Sequence, residues 1–258
     1  MRTLSFALLA ILPLAGCDNK DKEVKLAPTA SALATSTVPV TATSRIAKYA
    51  IDPKGTTAVD MEAPKERIKA STDGAAGSID VDLMNLANTR GEVKVDLTTL
   101  TTKTFEDKGK NESQTEHART WLEVASKLPD DVKVPNRYAV FAIRGVEGLS
   151  QADVAKIPGD TRIVTATVKG ELLVHGHKVD RQVPVEVTFK FAPGAKPEAK
   201  PTSIDVKTKE PLKVVLAEHE VKPRDDLGKI AKASFGLLGT KVAETANVTF
   251  DFHATPSP

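Results

Sequence analysis

His175 and His177 are the residues whose type and spacing come nearest to a metal site in this 258-residue chain. Two positions apart on an extended strand end, their imidazoles share one side. Zinc needs three or four ligands, and no cluster of Cys or His elsewhere completes the set. The pair therefore reads as two turn histidines, and no metal is expected. Asp130-Asp131 and Asp225-Asp226 lack the ligand spacing of an EF-hand loop and read as solvated loop charges. Nucleophilic catalysis requires a Ser or Cys beside a base and an orienting group. The chain shows no nucleophile-elbow motif or other catalytic signature. These residues point away from an enzyme and away from a catalytic cofactor.

The remaining reactive side chain is Cys17, the single cysteine. It has no partner for an intramolecular disulfide, and a free thiol is a liability in an exported protein. Its setting is that of a processing signal: Arg2 is positive, Leu4 to Leu14 is mostly apolar, and Leu14-Ala15-Gly16-Cys17 follows at once. The run is too short to span a bilayer, which takes about 20 apolar residues. The tetrad resembles the lipobox of bacterial lipoproteins. That resemblance implies a signal peptide over residues 1–16, a diacylglycerol on the Cys17 thiol, and anchoring to the membrane through two or more acyl chains. The competing reading is an ordinary secretory signal that happens to contain a cysteine. Asp18 resembles the inner-membrane retention residue of enterobacterial lipoproteins, whereas other bacteria sort by other rules, so inner or outer membrane stays open. The expected location is the cell envelope, lipid-anchored, with the domain in the periplasm.

Residues 17–47 read as the lipidated cysteine and a flexible linker. Lys20, Asp21, Lys22 and Glu23 open it, and Ala, Thr, Ser and Pro follow with a period of neither 2 nor 3.6. A tether of about 30 residues spans on the order of 30 Å. The rest, residues 48–255, is long enough for one sizeable β domain. Its charge excludes a further class of function: the formal net charge is only +2, the basic residues are scattered, and aromatic residues make up 4%. Neither a basic groove nor a set of stacking platforms for nucleic acid follows from that.

Within the domain the apolar residues alternate. Val183, Val185, Val187, Phe189 and Phe191 alternate with Pro184, Glu186, Thr188 and Lys190, so one face is apolar and the other wet. The same period runs through Ile79, Val81 and Leu83, through Val93, Val95 and Leu97, and through Val248, Phe250 and Phe252. Further strands are expected at 49–51, 57–61, 138–144, 162–174, 204–208 and 212–217, eight to ten in all, with a hairpin around Gly176-His177-Lys178. One wet face on every strand suits a closed antiparallel barrel, and equally a β-sandwich. An eight-stranded barrel is just wide enough for one slender ligand. Ser113-Gln114-Thr115-Glu116 reads as a capping box, with Ala118, Trp121, Leu122 and Ala125 on one helical face. A second helix is expected from Arg224 to Ala233, and either helix could plug a barrel end.

Val93 to Thr102 followed by His117-Ala118-Arg119-Thr120-Trp121-Leu122 resembles the strand and helical crossing of the YceI-like family. Gly170-Glu171-Leu172-Leu173-Val174-His175-Gly176 leading into Val183 to Phe189 is similar to that family's central hairpin. Arg224 to Gly228 and Val248 to His253 resemble its C-terminal segment. The resemblance implies an all-β fold with one or two short helices, an extended antiparallel eight-stranded lipocalin-like barrel. It also implies a polyisoprenoid or similar amphiphile in an apolar tunnel, with no other cofactor. The tunnel would be lined by Val93, Val95 and Leu97, by Phe141, Ile143 and Leu172, by Val183, Val185, Val187 and Phe189, and by Val248, Phe250 and Phe252. Two features depart from the family. Ile51-Asp52 is followed by Pro53-Lys54-Gly55-Thr56 where many members carry a His-Ser pair, and Pro193 to Pro201 looks like an inserted loop. They leave the head-group contacts open. The alternative function is an envelope protein-interaction module with a filled β-core.

Overall fold

The computed structural model describes residues 45–63, 66–221 and 243–257. Among them run the strands β1 (Ile46–Ala63), β2 (Glu66–Thr72), β3 (Ala76–Asp82), β4 (Arg90–Asp96) and β5 (Thr101–Thr102), then the helices α1 (Lys108–Trp121) and α2 (Asp130–Asn136). The strands β6 (Tyr138–Glu147), β7 (Thr161–Val174), β8 (His177–Lys190), β9 (Ser203–Thr208), β10 (Leu212–Val215) and β11 (Thr245–Pro256) follow. Eight strands close a ring in the order β1-β3-β4-β6-β7-β8-β9-β11, and β11 returns to β1. The closing seam is antiparallel and runs from Tyr49 opposite Pro256 to Asp60 opposite Asn247. Closure removes the exposed edges that an open sheet of this size would present. The expected eight-stranded, lipocalin-like antiparallel barrel is thus the fold.

Three strands outside the ring lengthen it. β1 pairs with β3 over Ile46 to Ala50 and with β2 over Thr57 to Ala63, while β11 pairs with β10 over Thr245 to Val248 and with β9 over Asp251 to Ala254. β5 continues the wall beyond β2. The change of partner in β1 falls at a register shift between Asp52 and Thr56. Pro53 has no N–H to offer a ladder, so the strand bulges there. Lys54 N–H donates instead to Asp52 Oδ1 at 3.1 Å. Gly74 lies so close beneath that a Cβ on it would sit 1.7 Å from the Pro53 carbonyl oxygen. The two strands expected at 49–51 and 57–61 are therefore one bulged element.

Four details differ from the sequence reading. Ser113 lies inside α1 and caps nothing, because Asp107, six residues earlier, accepts from Lys110 N–H at 2.8 Å and starts the helix there. Asp130 and Asp131 sit on the first turn of α2 rather than in a loop, where acidic side chains complement the helix dipole. β1 begins at Ile46, two residues before the expected domain start, since Ala47 and Tyr49 already alternate into the core. β2 and β5 went unread because their inward positions, Ile68, Ala70 and Thr102, make too short and mixed a pattern. The segments 1–44 and 222–242, with Cys17, most of the linker and the helix expected at 224–233, lie outside the described residues.

Candidate functional site

The barrel interior contains two linked chambers. The larger, about 200 Å³, is bounded by the extended half of the barrel: Val59 and Met61 of β1, Ile68 and Ala70 of β2, Leu212 and Val214 of β10, and Ala246 and Val248 of β11. Helix α1 roofs it through Gln114, Ala118 and Trp121, which fall on one face at i, i+4 and i+7. Hydrogen bonds fasten that roof: Thr102 N–H donates to Thr115 Oγ1 at 2.9 Å, Thr102 Oγ1 to the Asn111 carbonyl at 2.8 Å, and Arg119 Nε to the Leu100 carbonyl at 2.9 Å. The smaller chamber, about 80 Å³, lies in the closed ring between β3, β6, β7, β8, β9 and β11.

Val93, Phe141 and Phe250 front both chambers and form the neck between them. Val93 and Phe141 stand directly opposite each other on β4 and β6, and Phe141 stands opposite Leu172 on β7. Gly170 makes room for this arrangement. A Cβ there would meet the Phe141 ring at 2.6 Å. Phe250 is held by its neighbour across the pleat, with the Phe252 ring centroid at 5.7 Å.

Each tunnel position named from the sequence fronts one of these spaces. Val95, Leu97, Leu172 and Val248 face the larger chamber, and Ile143, Val183, Val185, Val187, Phe189 and Phe252 the smaller. Val93, Val95, Phe141, Val187, Val248 and Phe250 are only partly buried although they point into a closed barrel. Side chains that front an internal void have that property; those of a filled core do not.

The end of the barrel beyond the smaller chamber is held by polar groups. The Arg162 guanidinium, 3% exposed, lies 3.9 Å over the Phe191 ring. It donates to the carbonyls of Gly159, Val154 and Pro197, each at 3.0 Å. Tyr49 Oη donates to the Pro201 carbonyl at 3.2 Å, and burial pushes its phenol up to about 12. The Pro193–Pro201 loop thus supplies carbonyls to the barrel's own interior.

At the other end three histidines meet. His175 and Gly176 form the two-residue turn of the β7–β8 hairpin with φ of 50° and 76°, the left-handed pair that such a turn requires. His175 Nδ1 is 3.2 Å from the His219 carbonyl oxygen, and its Nε2 is 3.2 Å from Glu123 Oε2. His219, fully buried, fronts the larger chamber and places Nδ1 3.1 Å from the His177 carbonyl oxygen. Burial holds its imidazole below the ordinary range; the Arg181 charge adds to that, against the pull of the His177 and Val174 carbonyls. His175 is a turn residue as expected, whereas His177 is the first residue of β8. His219 carried no signal in the sequence, where it stands alone in Leu216-Ala217-Glu218-His219-Glu220-Val221. Among the described residues no group of three His, Cys, Asp or Glu is arranged to hold a metal ion.

The chain is thus a closed eight-stranded barrel with a divided apolar interior. The YceI-like domain family model matches residues 49–254, and the chain belongs to that family. Solved structures similar to it include a polyisoprenoid binding domain from Saccharophagus degradans implicated in plant cell wall breakdown. It is 14% identical, with 83% of this chain and 100% of that chain covered and a TM-score of 0.49. Another is BcnA of Burkholderia cenocepacia, 18% identical, with 78% and 96% covered and a TM-score of 0.44. No curated protein matches the chain.

Proposed function

We propose that the chain is an envelope lipoprotein that carries or sequesters a long apolar amphiphile, a polyisoprenoid or similar lipid, in the two linked chambers. The observation that carries this reading is the interior itself: an almost wholly carbon-lined space inside a closed barrel, fronted by inward side chains that stay partly accessible. Membership of the YceI-like domain family supports it. Each buried methylene contributes up to about 0.8 kcal/mol. Ten of them give roughly 8 kcal/mol before ordering costs, which is near micromolar affinity. The anchoring part rests on Leu14-Ala15-Gly16-Cys17. Acyl chains there would keep the domain at the membrane from which an insoluble ligand must be drawn.

The test is mass spectrometry of an organic extract of the purified full chain, followed by uptake of isoprenol by the delipidated chain. Stoichiometric lipid in the extract and saturable uptake are expected. An empty extract together with no uptake would overturn the reading in favour of a protein-interaction module.

A further inference from the structure

We propose that helix α1 is the gate of the barrel: the amphiphile enters and leaves the larger chamber when α1 parts from β5 at Thr102 and Thr115 and swings about Glu123, while the opposite end stays shut. The inference rests on the lipid-binding reading above and adds the route to it.

The two ends of the barrel are closed in different ways. Beyond the smaller chamber the closing groups belong to the core: Tyr49, Val154 and Arg162 are all buried, and the Arg162 guanidinium ties the carbonyls of Val154, Gly159 and Pro197 together. Opening that end would strip a buried cation of its acceptors, a costly step. The roof of the larger chamber is different. From Thr101 to Glu123 only Thr102 is buried, whereas Leu97 and Leu100 before that segment and Val124 and Ala125 after it are all buried. The roof is thus rooted in the core at both ends and laid over the chamber between them. Segments with few buried contacts are those that open at least cost.

The fastenings define how it moves. The C-terminal end of α1 is fixed: Val124 N–H donates to the Arg119 carbonyl at 2.8 Å, and Glu123 takes the left-handed conformation (φ 58°) that such a helix end uses. The Glu123 carboxylate also accepts from Asn136 Nδ2 at 3.2 Å. β5 is fixed by its ladder to β2 and by Lys103 N–H, which donates to the Lys69 carbonyl at 2.8 Å. Between β5 and α1 the catch is Thr102, bonded to Thr115 and to the Asn111 carbonyl; Arg119, nearer the pivot, bonds the Leu100 carbonyl. The chain from Lys103 to Asp107 has no buried residue to hold it. Releasing the catch frees the N-terminal end of α1 and lifts Gln114 and Ala118 from the chamber they front.

The hydroxyl oxygens of Thr102 and Thr115 lie 3.0 Å apart. A disulfide needs its sulfurs at about 2 Å, so Thr102→Cys with Thr115→Cys locks the catch. The pair is placed in the full chain carrying Cys17→Ala, which leaves no third thiol to compete. Trp121 is the only tryptophan of the chain and fronts the chamber, so its fluorescence reads occupancy. Rapid mixing of the delipidated protein with geranylgeraniol gives the uptake rate, and dilution of the loaded protein into excess phosphatidylcholine vesicles gives the release rate. Both should be slower by about tenfold or more in the oxidised pair than in the same protein reduced, and a reductant should restore them. Thr115→Val, which removes one hydroxyl of the catch, should speed both about fivefold. If the cysteine pair does not fold or does not close, that variant decides. Equal rates in the oxidised and reduced pair, or Thr115→Val exchanging as the parent does where it decides, would overturn the gate and leave lipid binding standing. No uptake by the parent would overturn both.

Discussion

Narrowing the neck is the sharpest test of a ligand that runs through both chambers. Val93 is the cross-strand neighbour of Phe141 and fronts both chambers with Phe141 and Phe250, so Val93→Phe would set a third ring there. The smaller chamber beyond it holds about 80 Å³. Filling a void recovers what making it costs, about 24 cal/mol per Å³, so a tail in that chamber contributes about 2 kcal/mol. Its loss weakens binding about 30-fold. The larger chamber, about 200 Å³, contributes about 5 kcal/mol on the same scale and is untouched. The assay is Trp121 fluorescence, with geraniol as a probe short enough for the larger chamber and geranylgeraniol as one that must enter both. Only the longer probe should lose affinity. Overpacking of the neck would lower the melting temperature of the delipidated chain by the equivalent of about 1–3 kcal/mol, and that is measured separately. A folded variant that binds geranylgeraniol as the wild type does would show that the tail never crosses the neck. Equal losses for both probes would place the blockage in the larger chamber.

The other predictions are independent of that one. His219 is held below its ordinary 6.5 by burial. The unfolded chain therefore binds the extra proton first, and stability present above that pH is lost as pH falls through the folded value. The free energy of unfolding measured by denaturant titration from about pH 7 to pH 5 should fall, by up to about 1.4 kcal/mol per pH unit, and fall less steeply in His219→Phe. Asp107→Ala removes the cap of α1 and should cost about 1 kcal/mol in thermal denaturation while speeding ligand release, because α1 roofs the larger chamber. Cys17→Ala should free the protein from the membrane fraction or leave it unprocessed; a mature, membrane-bound variant would refute lipidation.

The strands were legible because each long ring strand keeps one wet face and one apolar face, a pattern that Val183 to Phe191 shows without interruption; that pattern suits a sandwich equally, and the closed barrel came from the resemblance to the YceI-like family. What the period of 2 cannot show is where a strand changes partner. Pro53 hid the continuity of β1, since a residue without an N–H reads as a break in sequence but is a bulge in the barrel. Asp107 was hidden by a better-looking motif: Ser113 and Glu116 have capping-box spacing, yet the helix had already begun. His219 was hidden for a different reason. Its partner carbonyl belongs to His177, 42 residues away in sequence, and a hydrogen bond to backbone leaves no side-chain signature.

The scarcity of aromatic residues, 4% of the chain, first argued against nucleic acid, but inside the barrel it has a second meaning. The walls of the larger chamber are made largely of Val, Leu and Ala, with Ala70, Ala75, Ala118, Ala139 and Ala246 at inward positions. Small and β-branched side chains on an extended eight-stranded frame leave space that larger ones would occupy. Two of the large rings, Phe141 and Phe250, stand where the chambers meet; Gly170 gives way to the first, and Phe252 stacks on the second. An apolar void of this kind stays dry and carries no stability of its own. The chain therefore forgoes packing energy where it keeps the chamber, and a matching apolar ligand, as proposed, would return that energy on binding.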